Sequence, residues 1–363
     1  MLKDKIAHVT SVHPYDDIRI FHKQCMSLKS KYETHLFNKD YSGEIDGIIL
    51  HKLPFVKNKF IRLISSWLIA LIGTSFKNFK VIHFHDPELL FAVPFWKLSG
   101  KKIIYDVHEN YYKQFSARKN FNKVFKKIIL TTIRFVEFFF SLFADKIVFV
   151  VEKLSDSLER KDKTLVIGNE PIIESTFTET KRKKQFIYVG NISEERGILK
   201  LVYALKKHDT KLILAGPFSS RDFQKEILKF ENVKYLGIIN RDKIKKVISE
   251  SIAGFCTIYP TPNHLNSSPN KFFEYLAYGT PVIASNFKKW VEFVPDYNKF
   301  VFYVDPLKDN EIESAITNLL KKDDQTINQL GMMGYKYVKS NFNWSIQEKK
   351  LLKCYQDIIS KSL

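Results

Sequence analysis

A short segment in the second half of the chain, Ser267–Ala284, combines residue types that could bind a charged ligand. Pro269 is typical of a first helical turn, and Asn266–Ser268 can cap such a helix. The free N–H groups of a helix N-terminus attract anions, whereas the helix dipole disfavours a cation such as Lys271 in the first turn. Lys271 therefore indicates a phosphate nearby. On helix geometry alone, a solvated Lys271 and an exposed Glu274 that bind no ligand explain the segment equally well.

A second segment, Tyr188–Gly197, follows a predicted strand and leads into a predicted helix. It contains Gly190, Asn191 and Arg196. The planar guanidinium of Arg196 can bind two phosphate oxygens at once. An ordinary surface arginine is the alternative interpretation.

Histidines follow two predicted strands in the first half of the chain. His108 lies in the segment Tyr105–Asn110, and His83, His85 and Asp86 form a His-x-His-Asp pattern. Strand alternation places His83 and His85 on one face of the sheet, so the pattern could hold a metal ion. A strand-end histidine without a catalytic role remains the alternative for His108.

A third polar cluster follows the first predicted strand, in the segment Ser11–His22. It supplies His13, Asp17 and Arg19. The residues Asp17 and Arg19 could line a ligand cleft or cap the following helix, and the sequence favours neither.

Strand-like apolar runs alternate with helical periodicity through both halves of the chain, which predicts parallel sheets covered by helices. The longest predicted helices are Phe60–Phe76 and Phe121–Phe143. The predicted strands are Ile6–Val9, Thr34–Phe37, Gly47–Leu50, Val81–Phe84, Lys102–Tyr105, Lys146–Val150, Phe186–Val189, Leu212–Ala215, Val233–Leu236, Gly254–Thr257, Pro281–Ala284 and Phe300–Tyr303.

Turn-forming and charged residues near Gly168–Lys184 separate the two halves. We therefore expect an α/β protein of two doubly wound, Rossmann-like domains that face each other across a cleft, with ligands beyond the carboxyl ends of the strands. The predicted domains are residues 1–168 and residues 185–340. Residues 341–363 are predicted to form a helix that packs back on the first domain.

The segment PNKFFEYLAYGTPVIAS resembles the donor-binding segment of glycosyltransferase family 4, also described as glycosyl transferases group 1. Matching segments extend from Thr10 to Phe342. The resemblance implies the GT-B fold, in which residues 1–168 bind the acceptor and residues 185–340 bind the nucleotide-sugar donor. It also implies a retaining enzyme that uses a nucleotide diphosphate sugar and needs neither a cofactor nor a catalytic metal.

The resemblance also implies roles for individual residues. Glu274 would hold the ribose hydroxyls, and Asn266 stands eight positions earlier, where the family has a second glutamate. Asn191 stands where the family usually has an arginine. Arg196 would neutralise the diphosphate leaving group, and we hypothesise that Lys271 supplies the second cation. Gly190, Ser267 and Ser268 complete the predicted donor site.

His108 matches the family histidine that contacts the transferring sugar, which makes it, with Arg196, the predicted catalytic pair. Lys113 matches a basic residue of some members. The further candidates for the acceptor or the cleft are His13, Asp17, Arg19, His85, Asp86 and Glu109.

The chain of 363 residues carries a net charge of +19, which predicts an anionic partner. No helix-turn-helix, zinc or RNA-binding signature is present and the charge is dispersed, so nucleic acid is not an expected partner. Three widely spaced cysteines fit a reducing cytosol. The N-terminal residues do not resemble a signal peptide, and the apolar stretch Leu63–Phe76 is too short to span a bilayer.

Two segments, Phe55–Lys80 and Phe115–Phe143, combine aromatic residues with lysine and arginine. Such helices suit an anionic membrane surface, although a buried apolar face with solvated lysines explains the pattern equally well. We expect a cytoplasmic protein attached peripherally to the inner face of the cytoplasmic membrane.

The sequence therefore predicts transfer of a sugar from a nucleotide diphosphate to a lipid-linked or glycan acceptor, in surface polysaccharide biosynthesis. A nucleotide-sugar epimerase or a phosphorylase of the same fold is the main alternative, and a nucleic-acid-binding protein is a remote one.

Overall fold

A computed structural model describes most of the chain. The described residues are 3–54, 57–75, 78–108, 115–116, 122–152, 158, 160, 162–173, 176–265, 267–295 and 299–360. The chain divides into two compact units. The first unit comprises Met1–Asn169 and Trp344–Leu363, and the second comprises Glu170–Asn343.

Among the described residues of the first unit, eight strands form one sheet in the order β3-β4-β2-β1-β5-β6-β7-β8. Neighbouring strands are parallel except for the pair β3 and β4. The strands are β1 Lys5–Val9, β2 Glu33–Asn38, β3 Gly43–Ile45, β4 Ile48–Lys52, β5 Val81–Phe84, β6 Lys102–Val107, β7 Lys146–Phe149 and β8 Thr164–Val166.

The helices of the first unit cover both faces of this sheet. A π-helix, Ile18–Cys25, follows β1, and a 3₁₀ helix, Pro87–Ala92, follows β5. The α-helices are α1 Met26–Leu28, α2 Lys59–Ser75, α3 Val93–Leu98, α4 Lys123–Ser141 and, at the end of the chain, α13 Trp344–Ser360.

The two faces of the first sheet differ in chemistry because side chains alternate along each strand. One face is apolar and packs with Ala70, Trp96 and Phe140 of α2, α3 and α4. The opposite face carries His8 of β1, which pairs in register with His83 of β5. The candidate functional side chains of this unit lie on this polar face.

Among the described residues of the second unit, six parallel strands form a sheet in the order β11-β10-β9-β12-β13-β14. The strands are β9 Lys183–Val189, β10 Lys211–Ala215, β11 Val233–Tyr235, β12 Ser251–Cys256, β13 Val282–Ser285 and β14 Val301–Val304. The α-helices are α5 Ile198–Lys206, α6 Arg221–Ile227, α7 Arg241–Ser249, α8 Pro262–Leu265, α9 Asn270–Ala277, α10 Lys288–Phe293, α11 Asp309–Leu320 and α12 Asp324–Asn341.

The second unit has an apolar cluster on each side of its sheet. Phe186, Leu214 and Phe255 belong to one cluster, and Ile187 and Ile213 belong to the other. Because these residues alternate along continuous apolar runs, their strands are buried on both faces. The predicted α/β class and its parallel strands are confirmed.

The sequence missed two short strands, β3 and β8. Each has only three residues, which is shorter than the runs that predict a strand, and β3 is also largely exposed. The antiparallel edge strand β3 departs from the predicted all-parallel sheet. Within the described residues, no helix is both long and apolar enough to span a bilayer.

Candidate functional site

Lys271 lies in the first turn of α9, at the carboxyl edge of the second sheet. Its Nζ lies 3.4 Å from the hydroxyl of Tyr188 and 5.0 Å from the centre of that ring. No ion pair joins Lys271 to a carboxylate in the part of the chain that the structure describes. Burial lowers the pKa of Lys271, because an ammonium group loses hydration there. The site thus holds a poorly solvated cation.

Gly190 follows β9 and makes room for this lysine. Its φ is +120°, and a Cβ atom at this position would lie 2.3 Å from Cε of Lys271. Only glycine combines this backbone conformation with this approach. Gly216, which follows β10, would clash with the backbone of Gly190 if it carried a Cβ. The strand ends therefore bring bare backbone close to the cation.

Arg196 and Glu274 act on the same lysine. Besides the effect of burial, the charge of Arg196 lowers the pKa of Lys271, and the carboxylate of Glu274 raises it. Arg196 ends the 3₁₀ turn Glu194–Arg196 and is half-buried. The arrangement combines two cations and one carboxylate, which suits a ligand with phosphates and vicinal hydroxyls.

The start of α9 differs from the predicted cap. Pro269 occupies the N-cap position, and no side chain of the described residues caps the helix, so the prediction that residues 266–268 supply the cap is wrong for Ser267 and Ser268. The hydroxyl of Ser267 instead donates to the carbonyl of His264. Proline lacks a capping side-chain oxygen, so no described side chain caps the N–H groups of Asn270 and Lys271, and these stay available to a ligand. Gly279, with φ +69°, follows the C-cap residue Tyr278 of this helix.

Asn191 is exposed, and its carbonyl accepts a hydrogen bond of 2.8 Å from the hydroxyl of Tyr188. Burial raises the pKa of Tyr188, so this phenol remains a neutral donor. Tyr188 therefore stabilises the turn after β9, and its ring packs beside the ammonium group of Lys271.

Asp106, on β6, is the centre of the polar face of the first unit. Arg19 donates to its two oxygens at 3.0 and 2.9 Å, and Gln24 donates to Oδ2 at 2.6 Å. Arg19 is buried and also donates to the carbonyls of Ile167 and Gly168. Burial opposes ionisation of Asp106, but the charge of Arg19 holds its pKa well below the usual value. Arg19 therefore has a structural role, in which it joins Asp106 to the segment that follows β8.

His108, His85 and His83 surround the same carboxylate. Their ring nitrogens lie 3.6, 3.6 and 3.7 Å from Asp106 Oδ2. His108 is half-buried, whereas the other two are buried. The ligand atoms of His83, His85 and Asp106 lie within 4.8 Å of one another, a spacing compatible with a metal ion.

Asp86 and Asp17 position His13 on the loop after β1. Asp86 accepts hydrogen bonds of 2.7 Å from the Thr10 hydroxyl and from the Ser11 N–H. His13 Nδ1 lies 3.2 Å from Asp17, and its ring centre lies 5.2 Å from that of His108. Burial would lower the pKa of His13, but the hydrogen bond with Asp17 and the charge of Asp86 raise it.

Asp17 also accepts hydrogen bonds from the N–H groups of Arg19 and Ile20 and so caps the π-helix. Of the two predicted roles for Asp17, capping is confirmed. Burial opposes ionisation of its carboxyl, but the contacts with His13 and with the Ile20 N–H lower its pKa well below the usual value.

The structure thus groups Gly190, Arg196, Lys271 and Glu274 in the second unit, and His13, His85 and His108 in the first. Three predicted site residues lie outside the described residues: Glu109, Lys113 and Asn266.

The sequence analysis missed His8, Asp106 and Tyr355 as site residues. His8 and Asp106 had a local signal, because each is a polar residue at a buried strand position. Tyr355 had none, since it reaches the histidines from a helix at the end of the chain.

Comparisons with known proteins identify the family of the chain. Residues 151–337, just over half of the chain, match the family described as Glycosyl transferases group 1. An uncharacterized glycosyltransferase of Methanocaldococcus jannaschii is 27% identical over 112 residues, which cover 29% of this chain and 27% of that protein.

Solved structures extend the likeness to the whole fold. Sucrose-phosphate synthase from Thermosynechococcus elongatus superposes with a TM-score of 0.75 at 15% identity, covering 99% of this chain and 100% of that one. A glycosyltransferase from Rickettsia africae has a TM-score of 0.66 at 16% identity, with 98% and 99% covered. The chain therefore belongs to the glycosyl transferases group 1 family and is a glycosyltransferase with two Rossmann-like halves of the GT-B type.

Proposed function

We propose that this glycosyltransferase is a retaining enzyme of family 4 that transfers a sugar from a nucleotide diphosphate to a lipid-linked or polysaccharide acceptor. The observation that carries the proposal is Lys271, a poorly solvated cation beside Gly190 and the uncapped start of α9. Such a lysine is stabilised when an anion binds, because the anion compensates for the hydration that burial removed.

The diphosphate of the donor would occupy this position. Lys271 and Arg196 would balance the negative charge that grows on the leaving group, and the N–H groups of α9 would contribute further donors. Glu274 would accept hydrogen bonds from two vicinal hydroxyls of the ribose. These groups stand in place before the reaction, so they lower the barrier through electrostatic preorganisation.

His108 would contact the transferring sugar. In the first unit it lies at the end of β6, with Asp106 and His85 behind it. A neutral imidazole at this position can bind a sugar hydroxyl without adding positive charge beside an oxocarbenium-like centre. His108 would therefore orient the sugar, and no covalent nucleophile is required.

Helix α4 supports a membrane-bound acceptor. Its inner face packs on the apolar cluster of the first unit through Val136 and Phe140. The helix is also apolar away from this cluster, and six of its hydrophobic side chains are at least 40% exposed: Val124, Phe125, Ile128, Phe135, Phe138 and Phe139.

Basic residues accompany these exposed apolar side chains. Lys123, Lys127 and Arg134 are exposed on the same helix. A helix that exposes both apolar side chains and cations suits the interface of an anionic membrane. We propose that α4 attaches the protein to the inner face of the cytoplasmic membrane, in surface polysaccharide biosynthesis.

Turnover of a panel of nucleotide diphosphate sugars, with native membrane lipids as acceptor, tests the proposal. The expected result is release of a nucleoside diphosphate and formation of a glycolipid whose anomeric configuration equals that of the donor. A Lys271→Met variant should lose this turnover, and Lys336→Met, a change of an exposed lysine on α12, should keep it. An isomerised free sugar nucleotide, or a requirement for free phosphate, would show an epimerase or a phosphorylase instead.

A further inference from the structure

A continuous chain of hydrogen bonds runs along the polar face of the first sheet. His108 Nε2 lies 3.1 Å from His85 Nδ1, and His85 Nε2 lies 3.1 Å from His8 Nδ1. His8 Nε2 lies 3.1 Å from the hydroxyl of Tyr355, which in turn lies 2.9 Å from His83 Nδ1. Every member of this chain can both donate and accept.

His8, His83, His85 and Tyr355 each carry a single mobile proton at neutral pH. Burial, together with the neighbouring imidazoles, holds the pKa values of His8 and His85 well below the usual value. Burial also lowers the pKa of His83, and it raises that of Tyr355. A neutral imidazole donates at one nitrogen and accepts at the other, so hydrogen-bond donation can run through the whole chain, Tyr355 included, in either of two directions.

The two directions give His108 opposite tautomers. In the first direction His108 donates from Nε2 to His85, the donation continues through His8 and Tyr355, and His83 carries the last proton on Nε2. In the second direction every proton is reversed, His85 donates to His108, and His108 carries its own proton on Nδ1.

Asp106 distinguishes the two directions. Its Oδ2 lies 3.6 to 3.7 Å from His83 Nε2, His85 Nδ1 and His108 Nε2. The first direction turns two N–H groups toward this carboxylate, and the second turns only one. His83 Nε2 is buried and has no hydrogen-bond partner among the described residues, so a proton there is best placed facing the carboxylate. A buried carboxylate favours donors over lone pairs, which selects the first direction.

We infer that His8, His83, His85 and Tyr355 are positioning residues that hold His108 in the tautomer protonated on Nε2. The Nδ1 atom is then an acceptor for a hydroxyl of the ligand. The inference rests on the proposed function only for the identity of that ligand, a sugar. Tyr355 belongs to α13, so a helix far from His108 in sequence takes part in setting the tautomer of His108.

A metal ion is the competing explanation for this cluster of imidazoles. Both oxygens of Asp106, however, already accept hydrogen bonds from Arg19, and Oδ2 also accepts one from Gln24. A cation at this position would share the carboxylate with a buried guanidinium. Like charges at such short range disfavour metal binding, so the geometry favours the hydrogen-bond chain.

Nitrogen-15 NMR of the full-length protein labelled on its histidine rings tests the inference, because the ring-nitrogen shifts report which nitrogen is protonated. His108 is assigned by comparison with His108→Gln. We expect the Nε2-protonated form in the protein without ligand. Tyr355→Phe removes the hydroxyl between His8 and His83, so both tautomers of His108 should become populated. Tyr32→Phe is the matched control, since its ring packs 5.7 Å from that of Tyr355 outside the chain.

His108 protonated on Nδ1 in the wild type would overturn the inference, and this readout needs no variant other than the assignment control. An unchanged tautomer in folded Tyr355→Phe would also overturn it. One equivalent of Zn²⁺ that shifts the signals of His83, His85 and His108 together would reveal a metal site instead. In turnover we expect Tyr355→Phe to lower kcat about threefold to tenfold with the donor KM unchanged, as for loss of one hydrogen bond. Absence of wild-type turnover would refute the proposed function and leave the tautomer result standing.

Discussion

Replacement of Lys271 by methionine removes one positive charge and keeps most of the shape of the side chain. This choice matters because the lysine chain packs against Gly190 and the Tyr188 ring, where a truncation to alanine would leave a cavity. The site is only partly accessible to water, so a phosphate bound there would make a charge-assisted hydrogen bond of about 1.5–3 kcal/mol. Each 1.4 kcal/mol corresponds to roughly a tenfold change in Kd.

We therefore expect Lys271→Met to weaken binding of the cognate nucleoside diphosphate by about 10- to 100-fold. Binding of the corresponding nucleoside should change less than about twofold, because it lacks the phosphates. Isothermal titration calorimetry with matched pairs, such as uridine with UDP and guanosine with GDP, measures both values. Lys336→Met, on the exposed face of α12, is the charge-matched control and should bind like the wild type.

The pH dependence gives a second test of the same residue. Burial and the charge of Arg196 lower the pKa of Lys271, so its ammonium group is lost at lower pH than that of an ordinary lysine. Affinity for the diphosphate should fall as the pH rises through this lowered pKa, and Lys271→Met should lack that fall. The nucleoside titration, measured in parallel, corrects for ionisation of the base.

The free energy of unfolding controls for damage to the fold. Burial makes the charged form of Lys271 less favourable in the folded state, so its removal should leave the unliganded protein at least as stable. Equal losses of nucleoside and diphosphate affinity, or the same pH profile in both proteins, would refute the assignment of Lys271 to the diphosphate.

Three further changes probe other parts of the structure. Gly190→Ala should lower the free energy of unfolding by more than about 1 kcal/mol and weaken diphosphate binding, whereas Gly237→Ala, also at positive φ but with open space around it, should leave binding unchanged in calorimetry. Asp106→Asn should destabilise the first unit by about 3–5 kcal/mol in urea unfolding, because a buried arginine loses its partner, and a loss below about 1 kcal/mol would contradict that role. Phe135→Glu with Phe138→Glu should abolish sedimentation with phosphatidylglycerol vesicles at low salt, with zwitterionic vesicles as the control, and undiminished sedimentation would exclude α4 as the attachment site.

The regular elements of both units could be predicted from local patterns. Runs such as Phe186–Val189 and Leu212–Ala215 are apolar at every position, which is typical of strands buried between two layers of helices. The three-residue strand β3 could not be predicted, because its pairing with β4 provides the order that its own residues lack.

The donor site could be located from sequence because its residues lie in two short segments. Gly190 and Arg196 share one turn region, and Lys271 and Glu274 are neighbours on one helix. The sequence did not reveal that Pro269 leaves α9 without a side-chain cap, since capping depends on backbone conformation as well as residue type.

By itself, the sequence determined the α/β class, the position of each long strand and the residue types that could bind a phosphate, because periodicity and turn chemistry act over a few residues. Only the tertiary structure shows that Arg19 is buried and has a structural role. It also shows that His8, His85, Asp106 and Tyr355 lie together beside His108. These residues are separated by up to 347 positions along the chain, and only the pairing of strands and the return of α13 bring them within hydrogen-bond distance.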